Sequence, residues 1–449
     1  MKKLPKISIG QKPIYKKIAE DIDFFELFGK IEQEFETCFL FESLGEEGKF
    51  SRYSIIGFSP EQIISAREKV LKINNTTFQV SNPYDALREM MPEPVITREY
   101  AGGLVGYLSY EAVNFLEPSV NAKIHDLFDQ FMFGVYADGI IYDKLTNEVF
   151  YFFYEKDRSH IITTVMKSKK STQKFSAEFI QDTLTKKEHE EVVLKVQEQI
   201  LSGNTFQCEV GFKSEYKVSG NPLVLYARLR TMNPSPFMYY LKFGTKKIIG
   251  ASPELLFSLR DGEMTSGPLA GTTIRGKDAK EDQQLARLLL NDQKERAEHM
   301  MIVDMHRNDI GKVAQFGTVK VRNLMTIKRF SHVQHISSEV VGLIRQGEDM
   351  FSGLASNFPM STVCGTPRVE TVKIIEANEP AARGPYGGGV GHFGFTGDAT
   401  FALALRSFFI SDSYGYAQTS SGIVADSVAE KEYKEIQRKL AAMKKVLAS

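Results

Sequence analysis

The chain has 449 residues, enough for two or three domain-sized units, with 42% hydrophobic and 25% charged residues. Lys plus Arg and Asp plus Glu both number 56, so there is no broad cationic footprint for nucleic acid. The three cysteines, Cys38, Cys208 and Cys364, form no CxxC pair, which argues against a zinc knuckle or a disulfide framework and fits a reducing cytoplasm.

The opening MKKLPKISIGQKPIYKK lacks the apolar stretch of a signal peptide, and no run of about 18 apolar residues predicts a membrane span. Residues 38–42 (CFLFE) and 53–58 (YSIIGF) read as short strands, and 69–80 alternate around Asn74-Asn75 like a hairpin. Residues 101–110 and 132–154 add strands, with a turn between Lys144 and Asn147. The segment 1–155 is therefore expected to be a strand-rich domain with antiparallel pairing rather than βαβ units. Residues 156–186 are polar and lysine-rich and read as a partly ordered connector, or as a solvated helix with Ile161, Ile162 and Val165 on one face. From 187 to 449 a second domain is expected. It opens with a helix over 187–202 stopped by Gly203, followed by strands near 205–217, 237–243 and 247–250. Asp261-Gly262 marks a hairpin. One helix is predicted over 281–305, another over 367–377, a strand over 399–410, and a last helix from Ser427, which with Glu430 matches a capping box. The fold class is α+β, large antiparallel sheets flanked by helices.

Chemistry can be sought in three places. Glu295 and Glu298 lie three apart on a helix, and Glu435 and Lys439 four apart on another, so each pair shares a face. Surface glutamates and a surface ion pair explain these spacings equally well. If both helices aim a carboxylate at one pocket, the hard oxygen donors select Mg²⁺. Gly389, Gly391 and Gly394 spell GxGxxG, but the sequence after them reads as strand, which argues against a dinucleotide site and leaves an anion-approaching loop open. His335 alternates with Val333 on a strand, where a satisfied core histidine is the commoner outcome.

Four stretches, taken together and in order, resemble the chorismate-utilising enzymes: anthranilate, aminodeoxychorismate, isochorismate and salicylate synthases. They are ASPELL at 251–256, GPLAGT at 267–272, ERAEHMMIVDMHRNDIG at 295–311, and the run from STVCGTPRV through RGPYGGGVG to GIVADSVAEKEYKEIQRK. The resemblance implies a layered α/β/β/α sandwich and a site for Mg²⁺ and chorismate. By position, Glu298 and Glu435 match the metal ligands and Glu295 a carboxylate beside them. Glu254 matches the acid that protonates the departing C4 hydroxyl. Arg406, Tyr386 and Lys439 match groups that bind substrate carboxylates, and Gly271, Thr272, Ser421, Gly422, His335 and Thr362 match pocket positions. Ser420-Ser421-Gly422 stands where the family has Gly-Ala-Gly.

Two positions separate the branches. Water-adding members resemble one another in a lysine base where this chain has Gln207, an amide that cannot deprotonate water but can help place ammonia. Aminodeoxychorismate synthases carry a nucleophilic lysine where this chain has Ala270. The resemblance is therefore to anthranilate synthase component I, the large subunit, with aminodeoxychorismate synthase component I or a non-catalytic tryptophan-binding paralogue as alternatives. His335 would assist pyruvate elimination. Leu40-Phe41-Glu42-Ser43 and Asn233 to Met238 resemble the family's tryptophan feedback site, which places Glu42, Ser43, Pro236, Phe237 and Met238 around the effector. No cysteine lies in a glutaminase elbow, so a separate glutamine amidotransferase subunit is the expected ammonia source, and the assembly a cytoplasmic hetero-oligomer.

Overall fold

The computed structural model describes residues 4–18, 22–44, 51–97, 100–168, 174–330 and 333–448. Among these residues the strands form two 12-stranded sheets, paired antiparallel throughout. The first sheet runs from Ile14–Ile18 through Glu148–Phe153, Asp138–Asp143, Tyr53–Phe58 and Thr37–Glu42. It continues through Phe237–Phe243, Lys246–Ser252, Ser407–Ser411, Tyr414–Ile423 and Gln207–Gly220 to Phe175–Asp182. The second sheet places Leu269–Ile274, Val333–Leu343, Leu255–Arg260 and Ala399–Leu403 on one side of Gly389–Gly394, with Gly103–Leu108 and Phe131–Tyr136 on the other. The sheets face one another across an aromatic core: Phe39, Tyr239 and Phe409 from the first meet Tyr107, Met132 and Val390 from the second. Alternation along each strand sends the intervening apolar residues to the outer faces, where the helices cover them. This is the expected sandwich of sheets and helices. No helix among the described residues is long and apolar enough to cross a membrane.

Each sheet draws strands from both 1–155 and 187–449. In the first, Glu42 opposes Met238; in the second, Leu108 opposes Gly389. The expected division into two strand-rich units is thus a division of sequence, and the sheets cross it. The connector is also more ordered than its composition suggested. Ser159–Lys167 is a helix burying Ile162 and Val165, and Phe175–Asp182 is an edge strand paired with Gln207–Gly220. The strand alternates Ser176, Glu178 and other polar residues with apolar ones, which suits an edge whose outer side is solvated.

Local signals held at the turns. Gly203, Asn74, Asn147 and the Asp261-Gly262 pair all have positive φ, as a helix stop and tight hairpins require. Three elements differ from expectation. The helix foreseen over 281–305 is two, Ala279–Asn291 and Gln293–Gly311, because Asp292 leaves helical geometry and accepts hydrogen bonds from the N–H groups of Lys294 and Glu295. The strand foreseen over 399–410 is also two. Ala399–Leu403 belongs to the second sheet and Ser407–Ser411 to the first, with Arg406 at positive φ in the crossover. The last helix begins at Ala429; Ser427 Oγ accepts from Val424 N–H, and Glu430 pairs with Lys186 and Lys434 instead of capping. The glycine run 389–394 is a central strand of the second sheet, which removes the dinucleotide reading.

Candidate active site

The floor of the site is the ladder between Gln207–Gly220 and Tyr414–Ile423, in which Glu209 opposes Gly422 and Gly211 opposes Ser420. Period-two alternation puts Gln207 and Glu209 on one face. A Cβ on Gly422 would lie 2.6 Å from Glu209 Oε1 and 2.7 Å from Gln207 Nε2, so only glycine leaves both side chains their places. Ser420 Oγ donates to Glu209 Oε2 at 2.7 Å, and the Tyr386 hydroxyl in turn donates to Ser420 Oγ at 3.0 Å. The one phenolic proton of Tyr386 is thus committed to Ser420. The neighbouring Ser421 hydroxyl is buried without a partner.

Glu254 follows the strand Lys246–Ser252 and is 4% exposed. Burial pushes its carboxyl up to about 8; the Thr362 hydroxyl, the Leu269 N–H and Arg406 pull the other way with less effect, and Glu209 adds to the rise. The Thr362 hydroxyl approaches without a hydrogen bond of ordinary geometry, and Glu254 Oε1 is left with no donor. Among the described residues Glu254 is thus a buried carboxyl with a raised pKa and one oxygen unpaired.

His335 sits where the ladder between Leu269–Ile274 and Val333–Leu343 slips by one residue at Gly271, a bulge with φ +71°. Its Nδ1 lies 3.2 Å from Gly271 O and 3.0 Å from Thr272 Oγ1, and its Nε2 3.4 Å from Arg406 Nη2. A proton on Nδ1 and a lone pair on Nε2 satisfy all three contacts. Burial and the Arg406 charge lower its pKa to about 4, so the ring is neutral near pH 7. The sheet crossover delivers Arg406 to this point, half-buried, with desolvation lowering its pKa and Glu254 acting the other way.

Carboxylates gather at the open side. Asp292, by capping Gln293–Gly311, sets the start of the helix that carries Glu295 and Glu298. Glu295 lies against the bulge: a Cβ on Gly271 would be 2.9 Å from its Oε2. Burial raises the pKa of Glu295 and of Glu298, and neighbouring acids add to it: Asp292 and Glu435 for the first, Glu295, Asp426 and Glu209 for the second. On the terminal helix Ala429–Ala448, Lys439 Nζ lies 2.8 Å from Glu435 Oε1 and donates to Ser420 O at 2.8 Å. Lys294 approaches Glu298 at 3.9 Å. Among the described residues no three His, Cys, Asp or Glu side chains stand close enough together to enclose a metal. The donor chemistry nonetheless fits a hard divalent cation, since Glu295, Glu298 and Glu435 are oxygen donors, and the charge of Glu435 acts on Glu295 as that of Glu295 acts on Glu298.

Sequence reasoning missed Glu209. It is 8% exposed, its proton affinity is raised by burial against the pull of Lys439 and Ser420, and it neighbours most of the groups above. The signal available was a carboxylate flanked by apolar Cys208 and Val210 near the start of the strand.

The residues resembling a feedback site lie elsewhere. Pro236 and Phe237, with the backbone of Glu42 and Met238, border a cavity of about 590 Å³ that Phe41, Tyr100, Tyr239 and His392 also line. The Glu42 carboxylate is held by Arg230 at 2.6 and 3.1 Å and by the Tyr226 hydroxyl at 2.8 Å, and Met238 is packed in the outer core. Ser43 is not among the lining residues; among the described residues its buried hydroxyl has no partner.

Residues 36–445 match the family of chorismate binding enzymes, and the chain belongs to that family. It is similar to anthranilate synthase component 1 of Leptospira biflexa, 50% identical over 452 residues that cover 99% of this chain and 98% of that protein. The component of the same name from Methanothermobacter thermautotrophicus is 39% identical over 435 residues, covering 95% and 93%. Among solved structures, anthranilate synthase component I from Streptococcus pneumoniae superposes with a TM-score of 0.79 at 28% identity, covering 89% of this chain and 93% of that one. The menaquinone-specific isochorismate synthase of Escherichia coli shares the fold, with a TM-score of 0.76 at 18% identity over 99% and 96% of the two chains.

Proposed function

We propose that the chain is the large component of an anthranilate synthase, converting chorismate and ammonia to anthranilate, pyruvate and water. The observation that carries this reading is Glu254, a buried carboxyl that holds its proton near neutrality beside Arg406. Hydroxide leaves poorly, and a positioned acid is what the departing C4 hydroxyl needs. Glu254 gives it that proton. Arg406 and Lys439 hold the two carboxylates of the substrate, a dianion that requires fixed cations. Glu298 and Glu435 would hold Mg²⁺, with Glu295 beside them; when bound, the ion would offset the ring carboxylate and the charge at the leaving oxygen. Ammonia attacks C2, since Gln207 supplies no base for water and Ala270 no amine of its own. Neutral His335 takes the C2 proton as pyruvate leaves and the ring becomes aromatic.

The similarity to proteins named component 1 supports a partner, here a glutamine amidotransferase that supplies ammonia. The cavity between the sheets is proposed to take tryptophan as feedback inhibitor, seated by Pro236, Phe237 and the chain around Ser43.

The test is the ammonia-dependent reaction of the isolated chain with chorismate and Mg²⁺. Ortho-aminobenzoate, read by its fluorescence, should appear with equimolar pyruvate and stop on addition of a chelator. Accumulation of aminodeoxychorismate without pyruvate would assign the chain to the other amino-adding branch. No consumption of chorismate would leave a binding protein.

A further inference from the structure

The strand that floors the site lacks a neighbouring strand along part of one edge. Gly365–Thr366 pairs with it at Gln207 and Cys208, and Phe175–Asp182 takes over only from Ser214. On the other edge Tyr414–Ile423 pairs with it without a break. The backbone groups of Glu209 and Gly211 that point into the gap therefore need partners from elsewhere. Two side chains supply them. Arg383 Nη2 donates to Glu209 O at 2.8 Å, and Glu379 Oε1 accepts from Gly211 N–H at 2.9 Å. The two are joined to each other, Nη2 to Oε1 at 2.6 Å and Nε to Oε2 at 2.9 Å, a two-pronged contact that suits arginine and carboxylate. Both side chains are buried.

A buried ion pair is a weak source of stability, because desolvation consumes much of the attraction. What this pair adds is reach. Arg383 Nη1 donates to Val363 O at 2.6 Å, one residue from Thr362, whose hydroxyl acts on Glu254. The guanidinium also lies over the Tyr110 ring at 4.7 Å and the Tyr386 ring at 5.7 Å. One planar group thus touches the strand of Glu209, the turn of Thr362 and the segment of Tyr386. We infer that Arg383 is a positioning residue, a brace that fixes Glu209, Thr362 and Tyr386 relative to one another around the substrate, with Glu379 aiming the guanidinium. Its hydrogen bonds end on Glu209 O, Val363 O and Glu379, so it acts through the residues it holds. The inference rests on the amination reading and adds to it the device that keeps the floor in register with the groups around Glu254.

The experiment is steady-state kinetics of the full chain with chorismate, ammonium chloride and Mg²⁺, beside a thermal melt of each variant. Arg383→Lys keeps the charge but loses the planar fork, so it cannot hold Glu379, Glu209 O and Val363 O together. Its kcat is expected to fall about tenfold or more while the KM for chorismate and the Mg²⁺ requirement stay within about twofold, because small misplacements tell on the chemical step. The fall of kcat at alkaline pH that Glu254 would set should also move to higher pH, since the Thr362 hydroxyl, which lowers the Glu254 pKa, is no longer held in place. If the lysine variant does not fold, Arg383→Met combined with Glu379→Gln removes both charges, leaves no unpaired ion in the core and carries the same readouts. Wild-type kcat in the variant would overturn the inference. So would a loss of kcat that vanishes well below the variant's Tm, or one that leaves the alkaline limb where it was, since both mark a general loss of order. A change confined to the KM for chorismate would make Arg383 a support of substrate binding and overturn it too. Absence of anthranilate from the wild type would overturn the amination reading and the inference with it, an outcome separate from a wild type that turns over beside a variant equal to it.

Discussion

Glu254 shows how a single environment fixes the state of a residue. Burial disfavours its charged form more than Thr362, Leu269 and Arg406 favour it, so the folded chain keeps the proton up to about 8 where an ordinary glutamate gives it up near 4.5. The sign of the linkage follows. The stabilisation from the bound proton is complete below about 4.5 and is lost as pH rises through about 8, because only the unfolded chain ionises freely in between. Glu254→Gln, which cannot ionise, should therefore gain in Tm relative to wild type between pH 4 and pH 9; a constant difference across that range would contradict a raised pKa. The same variant should lose about 10²- to 10⁴-fold in kcat if the group is the general acid. Wild-type kcat should fall as pH rises through about 8, as that proton is lost.

At the scale of elements, the site depends on interruptions. A helix running unbroken from 279 to 311 would carry Glu295 and Glu298 on a different heading. Asp292 ends one helix and starts the next, accepting from Lys294 and Glu295 N–H. Asp292→Ala removes that cap and should cost about 1 kcal/mol of stability, with a rise in the Mg²⁺ concentration needed for half-maximal rate. Denaturant melts and Mg²⁺ titration measure the two effects separately, and a stability loss with an unchanged Mg²⁺ requirement would show that the break does not serve the metal site. The bulge at Gly271 and the crossover at Arg406 are interruptions of the same kind. Each breaks a ladder where a side chain must turn inward, His335 at one and the guanidinium at the other.

For the whole molecule, the mixing of strands is the decisive fact. Because both sheets contain strands from 1–155 and from 187–449, neither segment can complete a sheet alone. Unfolding should show one cooperative calorimetric transition, and the two segments expressed apart should fail to fold; two resolved transitions would mean that the segments are autonomous. The proposed effector cavity is lined from both sheets, by Phe41 and Phe237 of the first and His392 of the second, so an occupant would bear on how the sheets sit. Substitution of Ser43 by a bulkier residue should relieve tryptophan inhibition while leaving uninhibited kcat close to wild type. Equal inhibition of both proteins would remove Ser43 from the effector region.

Local chemistry was legible wherever one residue decides one conformation. Asp261-Gly262, Asn74 and Gly203 announced their turns, and alternation announced most strands. The four motif stretches likewise carried the family. Spacing alone left Glu298 and Glu435 as a surface glutamate and half of a surface ion pair, because a meeting of residues 137 positions apart has no local signature. Asp292 and Arg406 lay inside patterns that continue through them, so the periodicity of 281–305 and 399–410 concealed a helix break and a change of sheet. The sequence by itself determined the fold class, the family and the absence of a lysine at positions 207 and 270. Only the tertiary structure decided that the two halves share both sheets, that Glu254 is buried enough to stay protonated, and that Glu209 belongs to the site, since burial and the meeting of distant charges are properties of packing.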